Sequence, residues 1–208
     1  RLSVRLLRPP GSARSPKGSL ILNRRAMKPV HTGERHKLKI ERLAVGGRGV
    51  ARLDGLVVFV SDVAPGDEVE AEITLAKKNF AEARLVNVLT PGPSRIKPPC
   101  PVAGVCGGCS WQQVSYDEQL RQKRSLVQES LRKFSKFEIG EDLVAQTVAS
   151  PLELRYRNRI QLHHSGAKVG YFKRGTHEIV DIDDCPIAEE PLAREIPKLK
   201  RELAQEKA

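Results

Sequence analysis

The chain has 208 residues, with 36 Lys and Arg against 25 Asp and Glu and a formal net charge of +11. That length builds one to two domains with ordinary cores. There is no apolar run of about eighteen residues and no charged, then apolar, then small-residue start, so the text reads as neither membrane-spanning nor secreted, and a cytoplasmic setting is expected. The basic excess is mostly local. Residues 1–33 carry eight basic and no acidic side chains, residues 34–99 eleven and nine, and residues 100–208 seventeen and sixteen. Charge points to nucleic acid only where it is gathered on one face.

In chain order, residues 1–33 read as a basic tail. Its opening "RLSVRLLRPPGSARSPKGSLILNRRA" keeps no helix or strand period and is expected to be disordered. Met27 is the only methionine and is expected to start translation, with the preceding stretch an over-extended reading frame. An Arg- and Ser-rich organellar transit peptide is the competing reading, and N-terminal sequencing separates the two.

Residues 34–92 turn into short β-type runs: "LKIERLAV", "VARLDGLVVFVSDV", "EVEAEITLAKKN" and "AEARLVNVL". Asp54-Gly55 is a tight hairpin turn and Pro65-Gly66-Asp67 another. About five strands without an intervening helix predict a small closed antiparallel barrel of the OB type. Residues 93–99, with Pro91 just before and Pro93, Pro98 and Pro99 within, form a stiff linker.

The stretch "CPVAGVCGGCSW" then sets Cys100, Cys106 and Cys109 close together, while Cys185 stands far downstream. Four cysteines in a reducing compartment point to metal or catalysis rather than to disulfides. Thiolates suit zinc or iron–sulfur clusters. Structural zinc usually uses two paired knuckles, whereas a C-x5-C-x2-C triplet with one remote partner suits a [4Fe-4S] cubane gripped by one loop. Zinc and merely buried or oxidised thiols remain the alternatives. Gly107 and Gly108 let backbone approach the sulfurs and offer amides to them, and Trp111 is placed to shield the site from water. The following "SYDEQLRQKRSLVQESLRKF" predicts a helix with a stripe of Tyr116, Leu120, Val127, Leu131 and Phe134, opened by a Ser115/Glu118 capping box. "LELRYRNRIQLHH" alternates as a half-buried strand with Arg155, Arg157 and Arg159 on its outer face. "AKVGYFKRGTHEIVDIDDC" predicts one or two further strands turning at Gly175, and "EEPLAREIPKLKRELAQEKA" a closing amphipathic helix.

The pattern C-x5-CGGC-x-WQQ-x-SY-x-x-QL-x-x-K, followed by "RYRNRIQL" and "VGYFKRGTHEIVDIDDCPI", resembles the central domain of the iron–sulfur uracil-C5 RNA methyltransferases of the 23S rRNA type. The preceding barrel resembles their RNA-binding TRAM domain. The resemblance runs from about Leu38 to about Leu199. It implies that Cys100, Cys106, Cys109 and Cys185 hold a [4Fe-4S] cluster, that S-adenosylmethionine donates the methyl group, and that the partner is RNA, expected to be rRNA, bound by a monomer. Such enzymes also carry a Rossmann-type domain with a nucleophilic cysteine and a carboxylate base. No G-x-G-x-x-G follows a strand here and no fifth cysteine exists, so the expected fold class is α+β: an OB-like barrel, then an α+β iron–sulfur domain over residues 100–208, with the catalytic domain absent and the chain inactive alone. The alternative is a stand-alone RNA-binding protein with a structural metal. A radical enzyme fits less well, because its triplet is C-x3-C-x2-C.

Candidate RNA contacts on the barrel are Lys77, Lys78 and Phe80, a charge and stacking pair at a strand end, and Arg48 inside "GGRG". The plainer alternative is a solvated turn with Phe80 in the core. In the second half they are Arg155, Arg157 and Arg159, whose plainer alternative is pairing with nearby carboxylates, and Phe172, Lys173, Arg174 and His177, which could equally be an exposed hairpin end.

Overall fold

The computed structural model describes residues 30–205. The expectations for residues 1–26, for the start at Met27 and for a transit peptide lie outside them. Strands β1 (Arg35–Lys39), β2 (Arg42–Leu43), β3 (Gly49–Leu53), β4 (Leu56–Val60), β5 (Glu68–Ala76) and β6 (Phe80–Thr90) form one sheet in the order β1-β5-β6-β4-β3-β2. Their period is two. In β4, Leu56, Val58 and Val60 are buried while Val57 and Phe59 are less so, and in β5 Val69, Ala71 and Ile73 point inward between glutamates. The β3–β4 turn is a two-residue loop with Asp54 at φ 50° and Gly55 at φ 91°, the positive values that a primed hairpin turn needs.

The sheet is curled. Its edge strands β1 and β2 are separated only by Ile40 and Glu41, whose amides donate to Asp67 O and Val50 O, so one bent strand serves both edges. Inside lie Ile40, Val58, Val60, Val63, Val69 and Ile73, each at most 1% exposed. β4 and β6 run parallel, which corrects the expected all-antiparallel barrel. Antiparallel hairpins are local, whereas this pairing joins strands whose connection passes through β5.

A buried ion pair closes the bottom of the sheet. Asp67 is fully buried and accepts from the Ala64 amide (2.6 Å), the Gly92 amide (2.8 Å) and the Arg95 guanidinium (Nη2 at 2.7 Å, Nε at 3.0 Å). Arg95 also donates to Asp62 O at 2.9 Å. The Pro65–Asp67 turn is thereby fastened to the proline-rich linker.

The second half contains helix α1 (Tyr116–Phe134), strands β7 (His163–Ser165), β8 (Lys168–Phe172) and β9 (Ile179–Asp181) in an antiparallel sheet of order β7-β8-β9, and helix α2 (Glu190–Gln205). Val169, Ile182, Ile187, Ala188, Ala193 and Ile196 form its core. Gly170 of β8 is buried, and a Cβ there would run into the Val180 carbonyl of β9. Gly170→Ala is expected to lower stability by about 1–3 kcal/mol, the usual cost of overpacking, read from denaturant unfolding.

This half is not a separate domain, contrary to the expected barrel followed by a distinct α+β iron–sulfur unit. Leu43 of β2 and Ala64 of the β4–β5 connection share a buried cluster with Val114, and Trp111 packs on it. The Gln113 amide donates to Val63 O (3.0 Å), the Leu43 amide donates to Gln122 Oε1 (2.9 Å), and the Ser115 amide donates to Ser94 O (2.8 Å). No described helix is long and apolar enough to cross a membrane.

Three local expectations also change. Ser115 makes no side-chain cap bond, and the reciprocal half of the capping box is also lost, since the Ser115 amide donates to Ser94 O while Glu118 pairs with Arg121 and Gln122. The α1 stripe buries nothing: Val127 is 50% and Phe134 78% exposed. Residues 152–162 form no strand. Arg155 sits at φ 57°, and the amides of Arg155 and Arg157 donate to Pro186 O and Ile187 O rather than to a sheet. Leu154, Ile160 and Leu162 still pack on the second core, so their alternation reflects an extended chain lying on a loop.

Candidate metal centre and nucleic-acid interface

The loop after the linker carries Cys100, Cys106 and Cys109, and the turn after β9 carries Cys185. All four thiols line one small pocket, with Tyr171, Asp184 and Pro186. The loop reaches that position through the β8–β9 hairpin. Cys106 bridges to Lys173, the Gly107 amide donates to Phe172 O (2.9 Å), and the Arg174 amide donates to Val105 O (3.1 Å). Gly107 is needed for this docking, since a Cβ would lie 2.9 Å from the Phe172 carbonyl oxygen. Its amide is thus spent on the hairpin, whereas the Gly108 amide does donate to Cys106 Sγ at 3.4 Å. The Cys100 amide donates to Gln112 Oε1 (3.1 Å).

Burial pushes the Cys100 and Cys109 thiols up, and the neighbouring thiols add to the effect. Four thiolates here would repel one another in a partly desolvated pocket unless a cation lay among them, which is the chemistry of a metal-binding donor set. The four thiols line that one pocket, although among the described residues no group of three or more His, Cys, Asp or Glu is placed to hold a metal ion. Trp111 is not on the pocket lining. Its ring is in the seam with Leu43 and Val114, and its Nε1 is buried without a partner.

Arg155, expected on an RNA-facing comb, instead embraces the Cys185 turn. Its guanidinium grips both oxygens of Asp184 (2.8 Å each) and donates to Cys185 O (3.1 Å), and its Nε lies 3.7 Å from Glu190. It holds the Asp184 carboxyl below the usual carboxylate range. Arg157 and Arg159 are exposed. The Tyr171 hydroxyl lies 3.9 Å from Cys185 Sγ.

Arg174, another expected RNA contact, spans the two halves. It forks onto Asp62 in the turn after β4 (2.9 and 3.0 Å) and donates to Cys109 O (3.3 Å). Lys173 pairs with Glu178 at 3.5 Å. Phe172 stacks on His163 (3.9 Å between centroids) and meets His177 edge-on (5.3 Å).

On the outer face of the curled sheet, Phe80 meets Phe59 edge-on at 5.9 Å, Arg48 lies 4.9 Å over the Phe59 ring, and Arg48 pairs with Glu82 at 2.6 Å. Lys77 and Lys78 are exposed on the adjoining turn. Phe59 was missed from sequence, although the alternation of "LVVFV" already places it outward. The Asp62–Arg174 fork and the Arg155–Asp184 grip join residues far apart in sequence and leave no local signal.

A family model described as the TRAM domain matches residues 29–86. The "Uncharacterized RNA methyltransferase" of Bdellovibrio bacteriovorus is 49% identical over 178 residues, covering 86% of this chain and 45% of that protein. One of the same description from Aquifex aeolicus is 38% identical over 167 residues, covering 80% and 39%. Among solved structures, the Pyrococcus abyssi tRNA (uracil-54, C5)-methyltransferase in complex with S-adenosyl-L-homocysteine superposes with a TM-score of 0.60 at 30% identity, over 82% of this chain and 37% of that one. The chain therefore contains a TRAM domain and is homologous to RNA methyltransferases, and it spans less than half the length of the curated relatives it matches. These matches cross the seam between the two halves, which again overturns the expectation of a barrel joined to a separate iron–sulfur domain. Running over most of the chain, they also give no support to the expected absence of a catalytic domain or to inactivity of the chain.

Proposed function

We propose that the described residues recognise RNA on behalf of an S-adenosylmethionine-dependent uracil-C5 RNA methyltransferase, and that Cys100, Cys106, Cys109 and Cys185 hold a [4Fe-4S] cluster within this RNA-binding framework. The observation that carries it is the convergence of remote Cys185 on the loop triplet in one pocket. A triplet in one loop with a single remote partner suits a cubane better than the two paired knuckles that structural zinc usually takes. When bound, the cluster supplies metal–thiolate bonds that tie the loop, the β8–β9 hairpin and the Cys185 turn together. Arg155 holds the backbone of the remote ligand, the Gly108 amide supports Cys106, and Arg174 carries the same framework across to the curled sheet.

The methyl donor is suggested by the product-bound archaeal neighbour. Among the described residues no glycine-rich turn joins a strand to a helix, so no residue is assigned to the donor and no step is derived through it. RNA contacts are assigned to Arg48, Lys77, Lys78 and Phe80 beside Phe59, to Phe172, Lys173 and His177 on the hairpin, and to Arg157 and Arg159. The exposed Lys77, Lys78, Lys173, Arg157 and Arg159 contact phosphates, the half-buried Arg48 does so from its place beside Glu82 and Phe59, and aromatic faces accept unstacked bases. The substrate is a structured RNA, 23S rRNA by the cysteine motif, with tRNA the other candidate by the archaeal neighbour's specificity.

Mapping 5-methyluridine in cells with and without the gene tests this: loss of one 23S rRNA site supports rRNA, loss of a tRNA site moves the substrate to tRNA, and unchanged RNA overturns the proposal. In binding assays, Lys77→Ala with Lys78→Ala is expected to flatten the salt dependence by one to two charges, and an unchanged slope removes that turn from the RNA surface.

A further inference from the structure

Besides the thiol pocket, the structure has a larger open cleft of about 480 Å³ beside the N-terminus of α1, within the roughly 300–1,000 Å³ typical of ligand clefts. Trp111, Tyr116 and Tyr156 give it aromatic walls, and Lys123 and Arg157 stand on its lining. Both cations are exposed, and neither belongs to an ion pair among the described residues. Tyr116 is pinned by the Ser150 amide, which donates to its hydroxyl at 2.7 Å, while Tyr156 is 49% exposed. Tyr156 directly follows Arg155, which sits in the left-handed region at φ 57° with its guanidinium fixed on Asp184.

The cleft and the thiol pocket share a wall. Gly108, Cys109, Gln112 and Ile187 line both, so the loop that carries the cysteines also forms one side of the cleft.

We infer that this cleft is a binding site for an unpaired nucleotide of the RNA. A base stacks on Tyr156, its flanking phosphates meet Lys123 and Arg157, and Glu153 on the lining accepts from a base amino group or a ribose hydroxyl. A duplex cannot present a base face in this way, whereas a loop or bulge can, and every base offers a face to an aromatic ring. Two unpaired cations beside exposed tyrosine favour a polyanion with stackable rings over a protein segment. The site rests on the RNA reading above and shares Arg157 with it, but its aromatic walls and Lys123 are separate from the contacts assigned there to the sheet face and hairpin.

The test uses the full chain, purified without oxygen, and a fluorescent single-stranded RNA beside the same sequence as a duplex. Tyr156→Ala, and separately Lys123→Ala with Arg157→Ala, are expected to weaken single-strand binding about tenfold or more with little effect on the duplex, and the double variant to flatten the salt slope. RNA carrying 4-thiouridine is expected to cross-link to peptides containing Trp111, Tyr116 or Tyr156. Unchanged affinities, with cross-links confined to the curled sheet, overturn the cleft while leaving RNA recognition standing. A parent chain that binds neither RNA overturns both. Unchanged thermal unfolding of Tyr156→Ala keeps loss of binding from being read as loss of fold.

Discussion

Asp67→Asn is expected to destabilise the protein by about 3–5 kcal/mol, the usual consequence of leaving one member of a buried ion pair without its partner. Asp67 is fully buried and satisfies Arg95 and the amides of Ala64 and Gly92, so neutralising it strands a guanidinium that is itself mostly enclosed. Arg95→Met, which removes the other charge, is expected to fall in the same range, because the Asp67 carboxylate then keeps only its two amides. The double change to a matched apolar pair is expected to recover part of the loss, since apolar replacement of a whole buried pair is often tolerated. Urea unfolding of the three variants reads all of this, and a loss below about 1 kcal/mol in both single variants shows that the pair is not what fastens the turn to the linker.

The second large effect is expected at the remote cysteine. Cys185→Ser removes the sole thiol supplied from outside the loop, and metal content is expected to fall from about four irons per chain to well under one. Single-stranded RNA affinity should fall with it, at least tenfold, because the cysteine loop is a wall of the cleft. The curled sheet has its own core and is expected to stay folded. Arg155→Ala separates positioning from ligation. It leaves all four thiols in place but frees the Cys185 turn from the grip on Asp184 and Cys185 O, so iron is expected to load and then be lost faster in air. Iron retention equal to the parent's removes Arg155 from that role. Rescue by Arg155→Lys should be incomplete, since lysine cannot fork onto both oxygens of Asp184.

What the sequence revealed follows from how local each feature is. The Asp54-Gly55 hairpin, the alternation of β4 and β5 and both long helices were legible because period and turn chemistry are local. The four cysteines were singled out by spacing alone, and they do line one pocket. The parallel partnership of β4 with β6 was not legible, since nothing in either strand names its partner. The alternation at 152–163 was misleading for a physical reason. An extended chain that lies on a core keeps a period of two whether or not it joins a sheet, and here Arg155 turns into the left-handed region to reach Asp184. The three arginines therefore divide, one holding the cysteine turn and two remaining in solvent. Likewise Phe134 and Val127 fit a buried stripe by spacing yet are exposed, because periodicity marks a face without saying what covers it.

Iron and acid-labile sulfide, measured together on the full chain purified without oxygen, test the proposed cluster most directly. About four of each per chain are expected, with loss of both in Cys185→Ser. A single zinc without sulfide, or a metal-free chain that binds RNA as tightly as the parent preparation, contradicts it.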